Sequence, residues 1–447
     1  MAELNPKVLS TVQDFMAQDV ELESYLTGPA GSGKTTELRA VVDWLEETKV
    51  NYLMVAYTHQ AKEIIQSKMP KTTPVRTLHS WLKKRPGLNE KAKSIQALMT
   101  NRQQGKPEHL QLLIVDEFSF VGDDDYMSIG ELQDELLLEQ VLCPCGREVS
   151  EDILYCESCD TPLTEAVTKN IPPIKVLYVG DLNQLSPIKG PTAPVPGGKY
   201  WTKLTEIHRS TTTISEPLAE LVEMIEGTRP MAYLKPTENF VRGVDIDKLY
   251  MEDEEEKQMY AYTNKAVENH NKRIQGYAIP KDGDEVYIPT LRRVVEISHI
   301  TDKAEVFDEI LTANGVITMA SKYKPLQFLN TLDYVKFYHL SDGTKVAGIF
   351  GSYQNKIIRD NLGKKLVNNN KNNKSSKAEY REYKAINDFV CNIDFRHCMT
   401  IHKAQGSEVK HSYVDSKDLA ICQDKLERMK LLYVGMSRST HSIFMSN

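Results

Sequence analysis

Gly28-Pro29-Ala30-Gly31-Ser32-Gly33-Lys34-Thr35-Thr36 matches the phosphate-binding pattern G-x-x-x-x-G-K-[ST] along its whole length. Glycines allow the backbone of such a loop to wrap closely around an anion, so that its amide groups point at the phosphates. Lys34 can reach the β- and γ-phosphates, and the Thr35 hydroxyl can bind Mg²⁺. The stretch therefore predicts a binding site for a nucleoside triphosphate.

The residues that flank this loop predict an α/β domain with a parallel sheet. Residues 25–27 and 52–57 have the apolar character of buried strands, and residues 37–46 between them are predicted to form a helix. The helix would begin at the loop, so that its N-terminus faces the phosphates.

Acidic residues follow two further apolar runs. Asp116-Glu117 comes after residues 112–115, and Gly180-Asp181 comes after residues 176–179. Ligands of parallel α/β sheets bind beyond the carboxyl ends of the strands, so these acids are expected at the same edge as the phosphate loop. Within the Asp116-Glu117 pair, one carboxylate could then orient Mg²⁺ while the other polarises a water molecule for attack on the γ-phosphate.

The second half of the chain predicts another α/β segment, interrupted by a β-rich one. Met259-Tyr260-Ala261-Tyr262 and Leu431-Leu432-Tyr433-Val434 are apolar runs that we interpret as strands of a second sheet. Residues 281–367 contain short β-like runs separated by turn signals such as Asp282-Gly283. This pattern predicts a small inserted barrel or sheet, followed by a flexible, polar loop at residues 366–378.

Composition indicates a soluble globular protein. Hydrophobic residues make up 40% and charged residues 26% of the 447 residues. No apolar run is long enough to span a membrane, and the N-terminus lacks the apolar core of a signal peptide, so we expect a cytoplasmic location, the host cytoplasm if the gene is carried by a phage. The net charge of −7 argues against a protein that coats nucleic acid with a wholly basic surface. It does not exclude a groove that is locally positive.

Four of the seven cysteines form a cluster that predicts a structural zinc site. Cys143 and Cys145 form a C-x-C pair, and Cys156 and Cys159 form a C-x-x-C pair. Four thiolates complete a tetrahedral shell and leave no position for a catalytic water. A redox-active pair is the alternative, and the remaining cysteines are interpreted as buried thiols.

Several blocks of the chain resemble, in the same order, the motifs of superfamily 1B DNA helicases, a group that includes Dda-like and RecD-like enzymes. Besides the phosphate loop, the blocks are Ala56-Tyr57-Thr58-His59-Gln60-Ala61-Lys62, Thr77-Leu78-His79-Ser80, Asp116-Glu117-Phe118-Ser119, Gly180-Asp181-Leu182-Asn183-Gln184-Leu185-Ser186-Pro187, Leu204-Thr205-Glu206-Ile207-His208-Arg209-Ser210, Thr400-Ile401-His402-Lys403-Ala404-Gln405-Gly406, and residues 431–438.

This resemblance implies roles for individual residues. The residues implied in ATP hydrolysis are Lys34, Asp116, Glu117, Gln184, Arg209 and Arg438. Mg²⁺ would be held by Thr35 and Asp116, and the nucleotide by residues 28–36 and Gln405. The residues implied in DNA binding are Thr58, His59, Thr77, His79, Trp81, Thr400, His402 and Lys403. Trp81 could either stack on a base or fill the core, and both interpretations stay open.

The resemblance also implies an α/β fold with two RecA-like parallel-sheet motor domains, a zinc-binding insertion and a small β-barrel-like insertion. The first motor domain is predicted at residues 1–210, with a small insertion at 82–110 and the zinc ribbon at 125–170. The second motor domain is predicted at 211–280 and 386–447, and the β-rich insertion at 281–385.

The implied function is that of a monomeric, ATP- and Mg²⁺-dependent DNA helicase that moves 5′ to 3′ on single-stranded DNA. Its expected partners are single-stranded DNA, junctions of single- and double-stranded DNA, and proteins of replication, recombination or repair. The alternatives are a translocase that displaces proteins with little unwinding, and a non-motor nucleotide-binding module whose zinc finger docks a partner. RNA as the substrate also stays open. So does the preference for ATP. The family carries an adenine-reading glutamine near its N-terminus in a pattern like L-T-x-x-Q, whereas here Leu4-Asn5-Pro6-Lys7 leads to Val8 and Gln13 comes five residues later.

Overall fold

A computed structural model describes residues 5–57, 59–82, 110–135, 140–142, 167–169, 174–186, 197–208, 212–288, 293–302, 309–312, 315–318, 329–330, 332–351, 357–358, 360–361, 364, 385–386, 389–404 and 408–446. None of the helices in these ranges is both long enough and apolar enough to cross a membrane.

The chain divides into two compact units, Met1–Leu234 and Lys235–Asn447. The sequence places the end of the first motor domain at residue 210. The first unit extends beyond that point and includes the helix Thr212–Ile225, which was assigned from sequence to the second domain.

The first unit is built on a six-stranded sheet. Its strands, together with a two-stranded ribbon, are β1 (Glu23–Thr27), β2 (Tyr52–Ala56), β3 (Val75–Thr77), β4 (Leu112–Asp116), β5 (Gln140–Leu142), β6 (Val167–Lys169), β7 (Lys175–Gly180) and β8 (Trp201–Lys203). Its helices are α1 (Pro6–Met16), α2 (Lys34–Glu47), α3 (His59–Lys68), α4 (Leu78–Trp81), α5 (Asp123–Glu135) and α6 (Thr212–Ile225), and a 3₁₀ turn spans Phe118–Phe120.

All strands of the six-stranded sheet are parallel, in the order β3-β2-β4-β7-β1-β8. The four strands predicted around the phosphate loop and before the acidic residues are confirmed as β1, β2, β4 and β7. Their side chains point into two buried apolar clusters, one on each face of the sheet. A strand that is buried on both faces reads as a continuous apolar run, which is why the sequence identified these strands.

Helix α1 shows how local sequence sets an element. Asn5 caps it by accepting a hydrogen bond from the Lys7 amide, and Pro6 occupies the first turn, where no amide donor is needed. Val8, Val12 and Phe15 recur at helical spacing and are buried against the sheet. Each such side chain contributes roughly 1.5–3 kcal/mol by leaving water.

The second unit contains a parallel sheet and a barrel. Its strands are β9 (Phe240–Arg242), β10 (Lys257–Ala261), β11 (Glu285–Ile288), β12 (Arg293–Thr301), β13 (Glu309–Thr312), β14 (Gly315–Thr318), β15 (Lys336–Leu340), β16 (Lys345–Phe350), β17 (Cys391–Phe395), β18 (Cys398–Thr400), β19 (Val409–Val414) and β20 (Ser439–Met445). Its helices are α7 (Ile246–Glu252), α8 (Asn264–Gln275), α9 (Ser416–Leu419) and α10 (Lys425–Met436), and a 3₁₀ turn spans Ile401–Ala404.

The parallel sheet has the strand order β18-β10-β19-β20-β9. The barrel closes because β16, at one end of the run β16-β15-β12-β11-β17, also pairs with β17 at the other end. The predicted small β-barrel is therefore present. Its closing strand, Cys391–Phe395, comes after the boundary that the sequence places at residue 385.

One predicted strand is a helix. Leu431-Leu432-Tyr433-Val434 lies in α10, which begins after the cap Asp424 and buries Leu431, Tyr433 and Val434. A short apolar run fits a buried strand and a buried helix equally well, so its periodicity could not separate the two.

Two predicted insertions fall largely outside the described residues. The small insertion at 82–110 is described only at its ends, and the predicted loop at 366–378 is not described. The predicted zinc segment begins at residue 125, which lies inside α5. Its four cysteines lie outside the described residues. The flanking strands β5 and β6 pair with each other and bring Leu142 opposite Val167.

A buried histidine links three elements of the second unit. His270 of α8 is 4% exposed, and its two ring nitrogens contact the carboxylates of Asp247 and Asp415, the latter at 2.9 Å. Burial alone would lower the pKa of His270, but the hydrogen bonds to the two aspartates outweigh it and raise the pKa to about 9. The raised pKa favours the protonated imidazole between the two aspartates, beside the Arg273 guanidinium, whose Nη2 atom lies 2.9 Å from His270 Nδ1.

This arrangement predicts a loss of stability at high pH. A raised pKa in the folded state contributes stability that is complete below the unfolded pKa of about 6.5 and is lost as pH rises through about 9. We expect the wild-type protein to lose up to about 3 kcal/mol of unfolding free energy between about pH 6 and 9.5. The measurement is urea unfolding of the whole chain at each pH. His270→Gln should not show this loss.

His397 provides the matched control. It is also buried, but burial and the nearby Arg396 and Lys257 lower its pKa to about 4, so it stays neutral over this range. His397→Gln should retain the wild-type loss of stability above about pH 7.5, where the imidazole of His397 is neutral in both the folded and the unfolded state. An unchanged pH dependence in His270→Gln would contradict the assignment of the charge to His270.

Candidate functional site

The carboxyl edge of the first sheet gathers most of the residues predicted for nucleotide chemistry. Register pairs Thr27, the last residue before the phosphate loop, with Gly180, and pairs Val179 with Asp116. The loop, the Gly180-Asp181 segment and the Asp116-Glu117 pair therefore follow three neighbouring strands. They lie side by side because the strands are parallel and in register.

The phosphate loop has the backbone that its glycines predict. Gly31 and Gly33 have φ angles of 81° and 86°, in the left-handed region that residues with a Cβ avoid. Helix α2 begins directly afterwards at Lys34, so its unpaired amides and the positive end of its dipole lie at the loop. This is the local geometry that binds a phosphate.

Gly28 is required by close packing. A Cβ at this position would lie 2.6 Å from Ser32 Oγ, and 2.9 Å from both Cβ and the carbonyl oxygen of Leu204. The Gly28 amide donates to the Gly180 carbonyl, at 3.2 Å, which ties the loop to β7. A side chain here would push the loop away from the sheet.

Polar groups in the loop are disposed to receive an anion. Lys34 Nζ donates to the carbonyls of Gly28 and Pro29, each at 2.8 Å, so the ammonium lies over the loop. Ser32 Oγ is buried without a hydrogen-bond partner among the described residues. Buried hydroxyls normally have a partner, so this atom fits a loop that binds a ligand.

The two threonines that follow Lys34 are exposed to solvent. Thr35 and Thr36, in the first turn of α2, are exposed, and the Thr35 hydroxyl is therefore accessible to a cation. Glu37 in the same turn is buried and accepts a hydrogen bond from the Asn5 amide at 2.7 Å, which anchors the N-terminal segment to α2.

The carboxylate pair is electrostatically strained. Burial, and then the adjacent Glu117 carboxylate, raise the pKa of Asp116 well above its usual range, while the positive charge of Lys34 opposes this rise. Glu117 has φ 56° and ψ 47°, a left-handed conformation that costs a residue with a Cβ about 1–2 kcal/mol. Two acids held in this way fit a bound cation such as Mg²⁺, which would offset their repulsion.

Asp181 and Gln184 form the third part of the edge. Both are buried, and Gln184 Nε2 donates to Asp181 Oδ2 at 3.3 Å. Gln184 Oε1 is buried and has no hydrogen-bond partner in the described part of the chain. An unpaired buried acceptor costs about 1–3 kcal/mol, and a bound water or ligand donor would relieve this cost. The sequence places Asp181 at this edge, as an acid at the end of an apolar run, but assigns it no role.

The predicted DNA-contact residues of the first unit follow β2 and β3, on the far side of β4 from the loop. Thr77 is buried, and its hydroxyl caps α4 by accepting from the Ser80 amide. His79 is half-exposed, 3.5 Å from Asp125. Trp81 is partly buried and packs on the apolar cluster with Leu78, and both interpretations of this residue stay open.

The predicted residues of the second unit occupy the 3₁₀ turn after β18 and the end of α10. Thr400 is buried, and burial lowers the pKa of the half-buried His402. Lys403 Nζ lies 3.3 Å from Asp394. Arg438 is 3% exposed and donates to the Val434 carbonyl and to Ser437 Oγ.

Several predicted site residues lie outside the described residues. They are Thr58, Arg209, Gln405, Cys143, Cys145, Cys156 and Cys159, and the side chain of His59 is likewise not described. His208, which precedes Arg209, donates its amide to the Gly31 carbonyl at 2.9 Å. Within the described ranges, no group of three or more His, Cys, Asp or Glu side chains is arranged to hold a metal ion.

Two family models match the chain. Residues 16–138 match an AAA domain, and residues 395–446 match a UvrD-like helicase C-terminal domain. The first match contains the phosphate loop and the carboxylate pair, and the second contains Thr400 to Arg438. Together they support a superfamily 1 helicase. No curated protein sequence matches the chain.

Solved structures of Pif1 helicases resemble the chain at low sequence identity. The Pif1 helicase from Candida albicans is 15% identical with a TM-score of 0.47, covering 100% of this chain and 95% of that one. Pif1 from Bacteroides in complex with ADP-AlF3 and ssDNA is 14% identical with a TM-score of 0.42, covering 100% and 93%. Bacteroides sp Pif1 in complex with ADP-AlF4 is 16% identical with a TM-score of 0.43, covering 99% and 92%. At these values the likenesses leave the roles of individual residues open.

The packing around Gly28 predicts the effect of adding one methyl group to the loop. Gly28→Ala should weaken binding of Mg²⁺-ATP at least about tenfold, because the new Cβ would displace Ser32 and Leu204. Binding can be measured by titration with a fluorescent ATP analogue, with circular dichroism as the check on folding.

Gly130→Ala is the matched control. Gly130 lies in α5, and a Cβ there would meet nothing within 4 Å. This variant should bind the nucleotide as tightly as the wild type. Equal affinity in Gly28→Ala would show that the loop does not hold the phosphates.

Proposed function

We propose that this chain is an ATP-dependent DNA helicase that moves 5′ to 3′ along single-stranded DNA in replication, recombination or repair. The observation that carries the proposal is the carboxyl edge of the first sheet. The phosphate loop, Gln184 and the carboxylate pair follow three neighbouring strands, and the DNA-contact segments follow the next two. The direction of movement and the biological process come from the resemblance of the motifs to superfamily 1B helicases.

The residues at this edge divide the work of hydrolysis. The loop amides and Lys34 bind the β- and γ-phosphates of ATP, and Glu117 polarises the attacking water. Gln184 responds to the γ-phosphate, and the unpaired Oε1 atom of this side chain supports the role because it can accept a hydrogen bond from that water. Thr35 and Asp116 would hold Mg²⁺, which would supply positive charge against the phosphate oxygens.

Two arginines are proposed to add positive charge in the transition state. Arg209 directly follows His208, whose amide is bonded to the phosphate loop, and this contact supports its role. Arg438 is assigned by its motif alone, as is the coupling role of Gln405. Charge spreads over the γ-phosphoryl oxygens as the bond breaks, so each added cation speeds the reaction.

The proposed nucleic-acid partner is single-stranded DNA, including its junction with a duplex. Contacts are assigned to Thr58, His59, Thr77, His79 and Trp81 in the first unit, and to Thr400, His402 and Lys403 in the second. Lys403 is half-exposed and paired with Asp394, so a DNA phosphate would have to replace an existing carboxylate partner.

Unwinding of tailed duplexes tests the proposal. Purified protein with ATP and Mg²⁺ should separate a duplex that carries only a 5′ single-stranded tail, and not one that carries only a 3′ tail. Lys34→Ala should lower ATP turnover at least about a hundredfold while retaining single-strand binding.

Other outcomes identify the alternatives. ATP turnover stimulated by single-stranded DNA without strand separation would indicate a translocase that displaces proteins. Turnover that does not respond to DNA would leave only a nucleotide-binding module and would overturn the helicase proposal. Unwinding of RNA alone would reassign the substrate.

We further propose that Cys143, Cys145, Cys156 and Cys159 bind one structural zinc ion. The pairing of β5 with β6 supports this assignment, because it brings together the two ends of the segment that carries the four cysteines. Sulfur ligands in two closely spaced pairs match the tetrahedral preference of Zn²⁺.

Metal analysis tests this second assignment. The purified protein should contain about one zinc per chain, and Cys156→Ser should lower that content several-fold. Cys422→Ser is the control, since Cys422 is a buried free thiol in the second unit, and its zinc content should match the wild type. A wild-type protein that is folded and contains no zinc would contradict the assignment of a zinc site.

A further inference from the structure

Three aromatic rings form a stack at the carboxyl edge of the first sheet, between the predicted DNA-contact segments and the carboxylate pair. Tyr57 and Phe120 are nearly parallel, with centroids 5.6 Å apart and an interplanar angle of 13°. His79 meets Tyr57 with its centroid at 5.0 Å and an angle of 64°. We refer to Tyr57, His79 and Phe120 as the aromatic stack.

Strand order brings the three rings together. Tyr57 follows β2, His79 follows β3 and Phe120 follows β4, and β2 lies between the other two strands. Register places Ala56 opposite both Thr77 and Asp116, so the residues that follow each strand leave the sheet at the same level. The stack therefore spans about two strand spacings, on the order of 10 Å, from the DNA-contact segment to the carboxylate loop.

The two ends of the stack are anchored to different parts of the site. At one end, His79 lies in α4 between the predicted contacts Thr77 and Trp81, and its Nε2 is 3.5 Å from Asp125. At the other end, the Phe120 amide donates to the Glu117 carbonyl at 2.9 Å, within the 3₁₀ turn Phe118–Phe120.

Glu117 is sensitive to the packing of this turn. Its left-handed backbone conformation is unfavourable for a residue with a Cβ and persists only where the surroundings impose it. The short turn that follows joins it directly to the ring of Phe120. Phe120 and Glu117 therefore belong to one short, hydrogen-bonded turn.

We propose that the aromatic stack couples DNA binding to ATP hydrolysis, with Tyr57 and Phe120 as positioning residues for Glu117. Single-stranded DNA on α4 moves His79, the movement passes through Tyr57 to Phe120, and the turn orients Glu117 to polarise the water that attacks the γ-phosphate. The inference rests on the proposed helicase function and concerns the regulation of the same site.

The packing favours coupling over direct stacking of a base on Tyr57. Phe120 covers one face of the Tyr57 ring, and all three rings are half-buried. Tyr57 also packs on the apolar core beneath the sheet edge. Burial and the nearby Asp125 raise the pKa of the Tyr57 phenol, so the ring stays neutral at physiological pH.

Replacing the stacked rings tests the coupling. For Phe120→Leu, ATP turnover is measured with and without DNA, and the ratio of the two rates is the stimulation. Stimulation by saturating oligo-deoxythymidine should fall about tenfold, which is within the usual range of coupling between two sites. The dissociation constant for the oligonucleotide should change less than about threefold. Phe120→Tyr, which keeps the ring, should retain stimulation.

A double-mutant cycle with Tyr57→Leu separates coupling from two independent effects. If the rings act through each other, the double variant should lose no more stimulation than either single variant. Tyr126→Leu is the matched control. Tyr126 is a half-buried tyrosine of α5 that packs against Tyr178 at 5.9 Å, outside the stack, and its replacement should leave stimulation unchanged.

The outcomes distinguish this inference from the function on which it rests. A wild-type protein without DNA-stimulated turnover would overturn the helicase proposal and the coupling with it. A stimulated wild type with equal stimulation of Phe120→Leu would overturn the coupling alone. Weaker DNA binding by Phe120→Leu, with full stimulation at saturating DNA, would also overturn it, because the rings would then serve as a binding platform.

Discussion

Parallel, in-register pairing of the strands in the first sheet is the constraint on which the site depends. Thr27, Gly180 and Asp116 end three neighbouring strands at nearly the same level, so the chain leaves the sheet at one edge each time. Parallel strands are joined by long crossover connections, and the polar residues lie where each connection begins, directly after its strand. A phosphate loop, a glutamine and two acids thereby meet although they come from residues 28 to 184.

Several energetically unfavourable features of the first unit lie at this edge of the sheet. Asp116 and Glu117 repel each other in a partly buried position, Glu117 is held in an unfavourable backbone conformation, and Gln184 keeps an unpaired acceptor. Features of this kind lower stability and are found at functional sites, where a ligand relieves them. The apolar clusters on both faces of the sheet supply the stability that offsets them.

In the second unit, helix α8 connects the parallel sheet to the barrel. Asn271 of α8 exchanges two hydrogen bonds with Cys398, and Gln275 contacts both His397 and Asp284 at the start of the barrel. His270 on the same helix carries a buried charge between two aspartates. One helix thus fixes the sheet and the barrel to each other within the unit.

Much of this organisation was readable from local pattern. Residues 112–115 and 176–179 could be identified as strands because strands buried on both faces are continuously apolar, and the phosphate loop because its glycines and Lys34 have an obligatory spacing. Residues 431–434 were misread because a four-residue apolar run has no usable period, and α10 contains it. The first compact unit ends at Leu234, whereas the sequence places the end of the first motor domain at residue 210, because nothing local to residue 210 shows what α6 packs against.

Residue spacing along the chain was therefore enough to predict a nucleotide site with its acids and to find the two α/β halves, because each depends on a short run of backbone. The contact of Tyr57 with Phe120, the buried charge at His270 and the closure of the barrel by β17 depend on strand order and register. These are non-local properties, set by how the whole core packs, and no single stretch of sequence records them.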